Sequence, residues 1–207
     1  MKSVELRDCA GFAWLQVQDF SACFRMGIMN KQRGESYVTM AVENTWMIET
    51  TSPEETQALG EKLAPLLQPD DVILFAGDLG AGKTQFVQGV ARGLGVQAQV
   101  TSPTFNILLE YHEGRLPLFH FDLYRLDEPE ELDDIDFFGV LESDGVSFVE
   151  WSEKFPEEMP EEQVSLSLAV RPDETRVLTV CGHGARGVEL AAQWKQALEK
   201  LNGAVEW

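Results

Sequence analysis

Val72-Ile73-Leu74-Phe75-Ala76, followed without a break by Gly77-Asp78-Leu79-Gly80-Ala81-Gly82-Lys83-Thr84, decides how this chain is read. The first five residues are continuously apolar, the pattern of a short strand buried on both faces. The next eight match G-x-x-x-x-G-K-[ST] at every fixed position. That pattern has a mechanism. Glycines permit a loop whose backbone N–H groups turn inward around a β-phosphate, and a helix opening near Lys83 adds its positive N-terminal end. Lys83 is placed to bridge β- and γ-phosphates, and the Thr84 hydroxyl to ligate Mg2+. A buried strand before the loop and a helix after it are what the mechanism requires, and they set this match apart from a chance one. Asp78 and Leu79 have no role that the general pattern supplies.

Upstream, Ser52-Pro53-Glu54-Glu55 predicts a helix start, with Ser52 as N-cap, Pro53 at the first helical position and Glu55 closing a capping box. Leu59, Leu63 and Leu66 then share a face, and Pro69-Asp70-Asp71 is a turn. Downstream, Lys83 to Leu94 reads as a helix with Phe86, Val90 and Leu94 on one stripe and Gly95 as its stop. Phe105–His112 and Leu116–Leu123 are strand-like and joined around Glu113-Gly114-Arg115, which predicts a hairpin. Pro129–Asp136 reads as an acidic, exposed short helix or turn, and Val146–Val149 as another buried strand. Val164, Leu166, Leu168 and Val170 alternate with Ser165, Ser167 and Ala169, a period of two. After a turn at Pro172-Asp173-Glu174, a strand resumes at Arg176–Cys181. An amphipathic helix from Val188 to Leu201 carries Leu190, Trp194, Leu198 and Leu201 on one face. Strands alternating with helices make an α/β fold the expectation.

The 207 residues suit one domain with some sequence left over, or two small ones. Hydrophobic residues at 44% are enough for a real core. Charge is the outlier: 16 Lys+Arg against 35 Asp+Glu give a formal −19. A surface this acidic repels phosphate backbones and anionic membranes, which disfavours non-specific nucleic-acid binding by this chain alone and attachment to an anionic membrane. Residues 1–46 hold five basic and five acidic residues, so the whole −19 belongs to 47–207. That break divides an N-terminal extension, 1–46, from a phosphate-binding domain, 47–207. The extension reads as a flexible addition or as upstream reading frame that the native protein lacks, and no chemistry is placed there. Three widely spaced cysteines without a CxxC pair argue against a disulfide framework or a zinc cluster and fit a reducing compartment. No apolar run approaches the ~20 residues of a membrane span. Glu5, Arg7 and Asp8 stand where a signal peptide needs apolar residues. A cytoplasmic location is expected.

Phosphoryl chemistry also needs an acid at the end of a neighbouring strand, to hold Mg2+ or polarise water. Two candidates stand open: Asp122 after Leu118-Phe119-His120-Phe121, and Glu150 after Val146-Ser147-Phe148-Val149. Thr101-Ser102-Pro103-Thr104-Phe105 is either a γ-phosphate-sensing loop or an ordinary turn. His120, two residues before Asp122 on the same face, either tunes that carboxylate or is a satisfied core histidine. His112 and His183 suggest nothing. The N-K-x-D motif that reads guanine is lacking downstream of the loop, so ATP is preferred. Residues 126–170 contain no arginine and only Lys154, which argues against a kinase with an Arg-rich lid.

Four motifs in this order and at these spacings, GDLGAGKT (Gly77–Thr84), VTSPTF (Val100–Phe105), HFDLYRL (His120–Leu126) and VEW (Val149–Trp151), resemble the TsaE (YjeE) family. These are bacterial ATPases required for threonylcarbamoyladenosine modification of tRNA. The resemblance covers about 48–200. It implies a compact P-loop NTPase fold with a mixed β-sheet flanked by helices, binding and slow hydrolysis of ATP with Mg2+, and partnership with TsaB and TsaD. Contact with tRNA then runs through the complex. Position by position, it implies that Gly77, Asp78, Leu79, Gly80, Ala81, Gly82, Lys83, Thr84, Gln85, Ser102, Thr104 and Arg176 line the nucleotide. It further implies that Asp122, Lys83 and Glu150 carry hydrolysis, that Thr84, Glu150 and Asp122 face the metal, and that Trp151 is the aromatic after the glutamate. Two other readings compete: a small-molecule P-loop kinase, and a regulatory module whose nucleotide is structural. The extension 1–46 matches nothing in the family.

Overall fold

The computed structural model describes residues 7–8 and 44–203, with side chains over 44–200. Apart from those few positions, the extension 1–46 lies outside the described residues. The strands are β1 (Arg7–Asp8), β2 (Thr45–Thr50), β3 (Val72–Ala76), β4 (Leu108–Tyr111), β5 (Leu118–Asp122), β6 (Val146–Glu150), β7 (Gln163–Val170) and β8 (Arg176–His183). They form one sheet in the order β1-β2-β8-β7-β3-β6-β5-β4. The centre, β7-β3-β6-β5, is parallel, and both flanks are antiparallel. This is a mixed sheet, as expected. The phosphate loop leaves the C-terminal end of β3 in the parallel centre, where open α/β sheets gather their ligands.

Helices α1 (Pro53–Leu63), α2 (Lys83–Leu94) and α5 (Gly184–Gly203) cover one face; α3 (Glu131–Asp134) and α4 (Phe137–Leu141) lie against the other. The buried strands serve both. In β3, Ile73 and Phe75 join the larger core, whereas Val72 and Leu74 join the smaller one. Edge-to-face aromatic pairs run through the larger core from Trp46 to Trp194 (5.0 Å), Trp194 to Phe86 (5.5 Å) and Phe86 to Phe75 (5.7 Å). They tie β2, α5, α2 and β3 together. Helices α1 and α2 meet backbone to backbone: a Cβ at Gly60 would lie 2.3 Å from Phe86 O, and one at Gly89 1.9 Å from Gln57 O. The helix that starts at Lys83 is thereby fixed on its outer side.

Local signals explain most boundaries. Ser52 caps α1 by accepting from Glu55 N (3.1 Å). Glu55 does reach back, but to Thr51 N (2.6 Å), one residue before the cap. Helix α5 begins four residues earlier than its apolar stripe predicts, because the Glu162 carboxylate accepts from Ala185 N and Arg186 N. Arg186 then forks onto buried Asp71 (2.8 and 2.7 Å) at the start of β3; this bonding raises the pKa of its guanidinium. The strand expected over Phe105–His112 is shorter. Only Leu108–Tyr111 pairs with β5, since Thr104 is drawn to Asp122 and Ile107 turns with φ +67°. The charge break at 46 falls inside β2, where Trp46 is 3% exposed and donates to Ala191 O (3.2 Å).

Candidate nucleotide-binding site

The loop after β3 has the backbone its sequence requires. Gly77, Gly80 and Gly82 all adopt positive φ (134°, 82° and 112°), and a Cβ at Gly77 would sit 2.3 Å from Leu168 O of β7. Helix α2 starts at Lys83 with Phe86 N bonded to Gly82 O (3.0 Å). Lys83 is buried, and its ammonium donates to Gly77 O (2.7 Å) and Asp78 O (3.3 Å). It also lies 4.8 Å over the Trp151 ring.

Both candidate acids come to this end of the sheet. Asp122 and Glu150 are register partners on the parallel strands β5 and β6, and Glu150 is in turn opposite Phe75 of β3. Strand alternation puts both carboxylates on the α2 side, level with the loop. Glu150 is the nearer. Its Oε1 accepts from the Thr84 hydroxyl (3.2 Å), and its Oε2 lies 3.8 Å from Lys83 Nζ. Asp122 stands one strand further out. Its Oδ2 accepts from Thr104 Oγ1 (2.5 Å) and its Oδ1 from Tyr124 N (2.9 Å). Ser102 Oγ is 2.7 Å from Thr104 Oγ1. The Thr101–Phe105 segment is therefore fastened to one of the two acids.

The outer loops are cross-linked. Lys154 Nζ donates to Tyr124 O (2.8 Å) and to Leu126 O, joining the chain after Asp122 to the chain after Glu150. Tyr124 and Trp151 pack with ring centroids 5.1 Å apart. Trp151 holds φ at +63°, a left-handed turn unusual for a bulky residue, which sends the chain sharply away after Glu150. On the next turn, desolvation holds the Glu153 carboxyl above its ordinary range, against the pull of its own backbone N–H and of Lys83. Arg125 stacks on Phe105 at 4.8 Å.

The remaining expected residues divide. Arg176 lies over the loop: a Cβ on Gly82 would be 3.5 Å from its Nε. Leu79 is 87% exposed at the loop's tip. The Gln85 side chain faces away from the cluster, its Oε1 accepting from Gln57 Nε2 of α1 (2.6 Å). His120 bonds to Glu150 Oε1 (2.9 Å), and both oxygens of the neighbouring Asp122 are taken by other donors. Sequence spacing pointed to Asp122 because it is the nearer residue along the strand; the adjacent strand supplies the actual partner. The Lys154 cross-link was missed, although a lone lysine in a 45-residue stretch with no arginine was a signal.

The donors suit Mg2+. Thr84, Glu150 and Asp122 offer only hard oxygens. Among the described residues no group of three His, Cys, Asp or Glu side chains forms a metal cage. Mg2+ needs none, since it takes one or two carboxylates and fills its shell with phosphate oxygens and water.

The family model for threonylcarbamoyl adenosine biosynthesis protein TsaE matches residues 50–178. The chain belongs to the TsaE family. It is 42% identical over 137 residues to the tRNA threonylcarbamoyladenosine biosynthesis protein TsaE of Bacillus subtilis, covering 66% of this chain and 85% of that protein. Against the protein of that name from Treponema pallidum it is 43% identical over 129 residues, or 62% and 95% of the two chains. The crystal structure of Bacillus subtilis YdiB superposes with a TM-score of 0.64 at 35% identity, covering 73% of this chain and 95% of YdiB. The TsaE matches place this chain in tRNA threonylcarbamoyladenosine biosynthesis, and the P-loop fold implies nucleotide binding. No helix among the described residues is long and apolar enough to cross a membrane.

Proposed function

We propose that this TsaE-family chain is a Mg2+-dependent ATPase that acts with TsaB and TsaD in threonylcarbamoyladenosine modification of tRNA. One observation carries the reading: the Thr84 hydroxyl, the Lys83 ammonium and the Glu150 carboxylate converge where the glycine loop becomes a helix. Loop N–H groups and Lys83 bind and neutralise the phosphates of ATP. Thr84, its proton directed to Glu150, keeps its oxygen lone pairs for a cation. Glu150 and Asp122 supply the acidic side of the metal site, and Mg2+ when bound adds charge neutralisation at the phosphate oxygens. Asp122 orients the attacking water, and the Thr101–Phe105 segment bonded to it brings Ser102 and Thr104 to the nucleotide. Arg176 and the walls of the loop from Gly77 to Gln85 complete the pocket.

Net charge supports the division of labour. A chain at −19 does not grip tRNA by itself, so RNA contact runs through TsaB–TsaD in the cytoplasm, and hydrolysis toggles the complex without transforming a substrate on this chain. Reconstituted tRNA modification with and without the chain, with phosphate release followed in parallel, tests this. Modification that requires the chain, together with phosphate release stimulated by TsaB–TsaD, is expected. A phosphorylated acceptor appearing with ADP would instead make the chain a kinase. Full modification by a variant that binds ATP but does not hydrolyse it would make the nucleotide structural.

A further inference from the structure

We infer that His120 is a positioning residue that holds the Glu150 carboxylate in its metal-facing orientation and off Lys83. This rests on the Mg2+–nucleotide reading of the site above. His120 is fully buried on β5, in register with Phe148, one row below the Asp122–Glu150 pair. The ring enters the apolar larger core, where a side chain that only filled space would itself be apolar. Burying an imidazole there is costly unless it is hydrogen-bonded. Its Nε2 has one partner, Glu150 Oε1 at 2.9 Å, and its Nδ1 has none among the described residues. Glu150 Oε1 is an acceptor, so Nε2 carries the proton.

Two donors then meet on one carboxylate oxygen: His120 from below and Thr84 from the phosphate loop. Together they fix the rotation of the carboxylate and leave Oε2 at 3.8 Å from Lys83 Nζ, the outer limit of an ion pair. Lys83 spends its short bonds on Gly77 O and Asp78 O instead. With the bond from below removed, Glu150 is free to close on Lys83. Such a pair withdraws the lysine from the phosphates and the carboxylate from the cation at once. Outer partners that orient metal-side groups in this way typically change metal affinity by about 10- to 100-fold when lost.

Calorimetric titration of ADP into the full chain, with Mg2+ and with chelator, gives a ratio of affinities that isolates the metal's contribution. In His120→Leu this ratio should fall about tenfold, and affinity in chelator should fall as well, because Lys83 drawn to Glu150 is withdrawn from the phosphates whether or not the metal is present. His120→Gln, whose amide N–H reaches the same place as Nε2–H, should recover the ratio to within about threefold. Long-range 15N correlation spectra of the protein without nucleotide should show the His120 proton on Nε2 and protected from exchange. An unchanged ratio in His120→Leu, an equal loss in His120→Gln and His120→Leu, or a proton on Nδ1 each overturns the inference. If His120→Leu does not fold, the glutamine ratio and the spectrum decide it: recovery with the proton on Nε2 supports the inference, and failure of either overturns it. A wild-type ratio of one would remove the Mg2+–nucleotide reading itself, whereas an intact wild-type ratio with an indifferent His120 removes the positioning role alone.

Discussion

Asp122 and Glu150 end neighbouring parallel strands, face each other in register and are both buried, yet their surroundings differ in kind. Glu150 is held by the rigid part of the molecule: the first turn of α2, the lysine of the loop and a core histidine. Asp122 is held by a loop side chain, Thr104, and by a backbone N–H two residues further on. One acid is built into the scaffold, and the other is tied to a segment free of regular structure. Equivalent positions in a sheet therefore need not do equivalent work; the elements that reach each residue from outside the sheet decide it. On the function proposed above, Glu150 serves binding and Asp122 turnover, and each variant below either breaks that division or narrows it.

The largest effect is expected for Glu150→Ala. It leaves Lys83 without its buried counter-charge and the His120 N–H without an acceptor, costing about 3 kcal/mol of folding stability. Mg2+-dependent nucleotide affinity and hydrolysis should be lost together. Thermal unfolding and nucleotide titration measure the two losses. Hydrolysis lost with affinity intact would move Glu150 to the turnover side of the comparison.

Asp122→Asn comes next. The amide keeps the shape and can still accept from Tyr124 N. Nucleotide affinity should stay within a few-fold, while phosphate release under stimulating conditions falls by about 10²- to 10³-fold, the usual loss for a positioned acid or base. Equal losses of affinity and rate would show that Asp122 is chiefly a metal ligand and erase the contrast with Glu150.

Much of this was legible beforehand. The glycine loop names its own strand and helix, because a phosphate cradle needs both at fixed offsets, and period-two patterning locates β7. The two acids were visible as carboxylates ending apolar runs. What could not be read is what depends on the neighbour across a strand or helix. His120 faces Asp122 along the chain but bonds to Glu150 across the sheet. Gln85 directly follows the loop, yet it is claimed by Gln57, 28 residues away on α1. The strand before Leu108 is cut short by a hydrogen bond from Thr104 to a residue 18 positions on. Composition likewise misplaces an edge: the charge changes at 46, whereas Trp46 packs on Trp194 in the core. Charge reports on the surface, and a strand's membership in a sheet is settled by its buried face.

Thr104→Val tests the tie on the Asp122 side. The substitution keeps the volume and removes the hydroxyl that donates to Oδ2. Hydrolysis should fall about tenfold, with unfolding stability lowered by about 1 kcal/mol and nucleotide affinity nearly unchanged. A loss as deep as that of Asp122→Asn would mean that the loop, through Thr104, is needed to place the acid at all. No loss would mean that Tyr124 N alone suffices to hold it.

The smallest expected effect belongs to Gln85→Ala. Gln85 sits one residue after Thr84, the last residue of the glycine-loop motif, so position alone would assign its side chain to the nucleotide. Its amide oxygen instead accepts from Gln57 Nε2, which also donates to Gln88 Oε1 at 3.2 Å. That second acceptor keeps Gln57 satisfied once Gln85 is truncated, so the variant should lose no more than about 0.5 kcal/mol of stability. Nucleotide affinity should hold within twofold, since the helix still offers the backbone N–H of residue 85. A tenfold drop in affinity at unchanged stability would show that the Gln85 side chain leaves α1 when nucleotide arrives. The rigid half of the site would then move on binding too, and the sharp division between Glu150's scaffold and Asp122's loop would have to be softened.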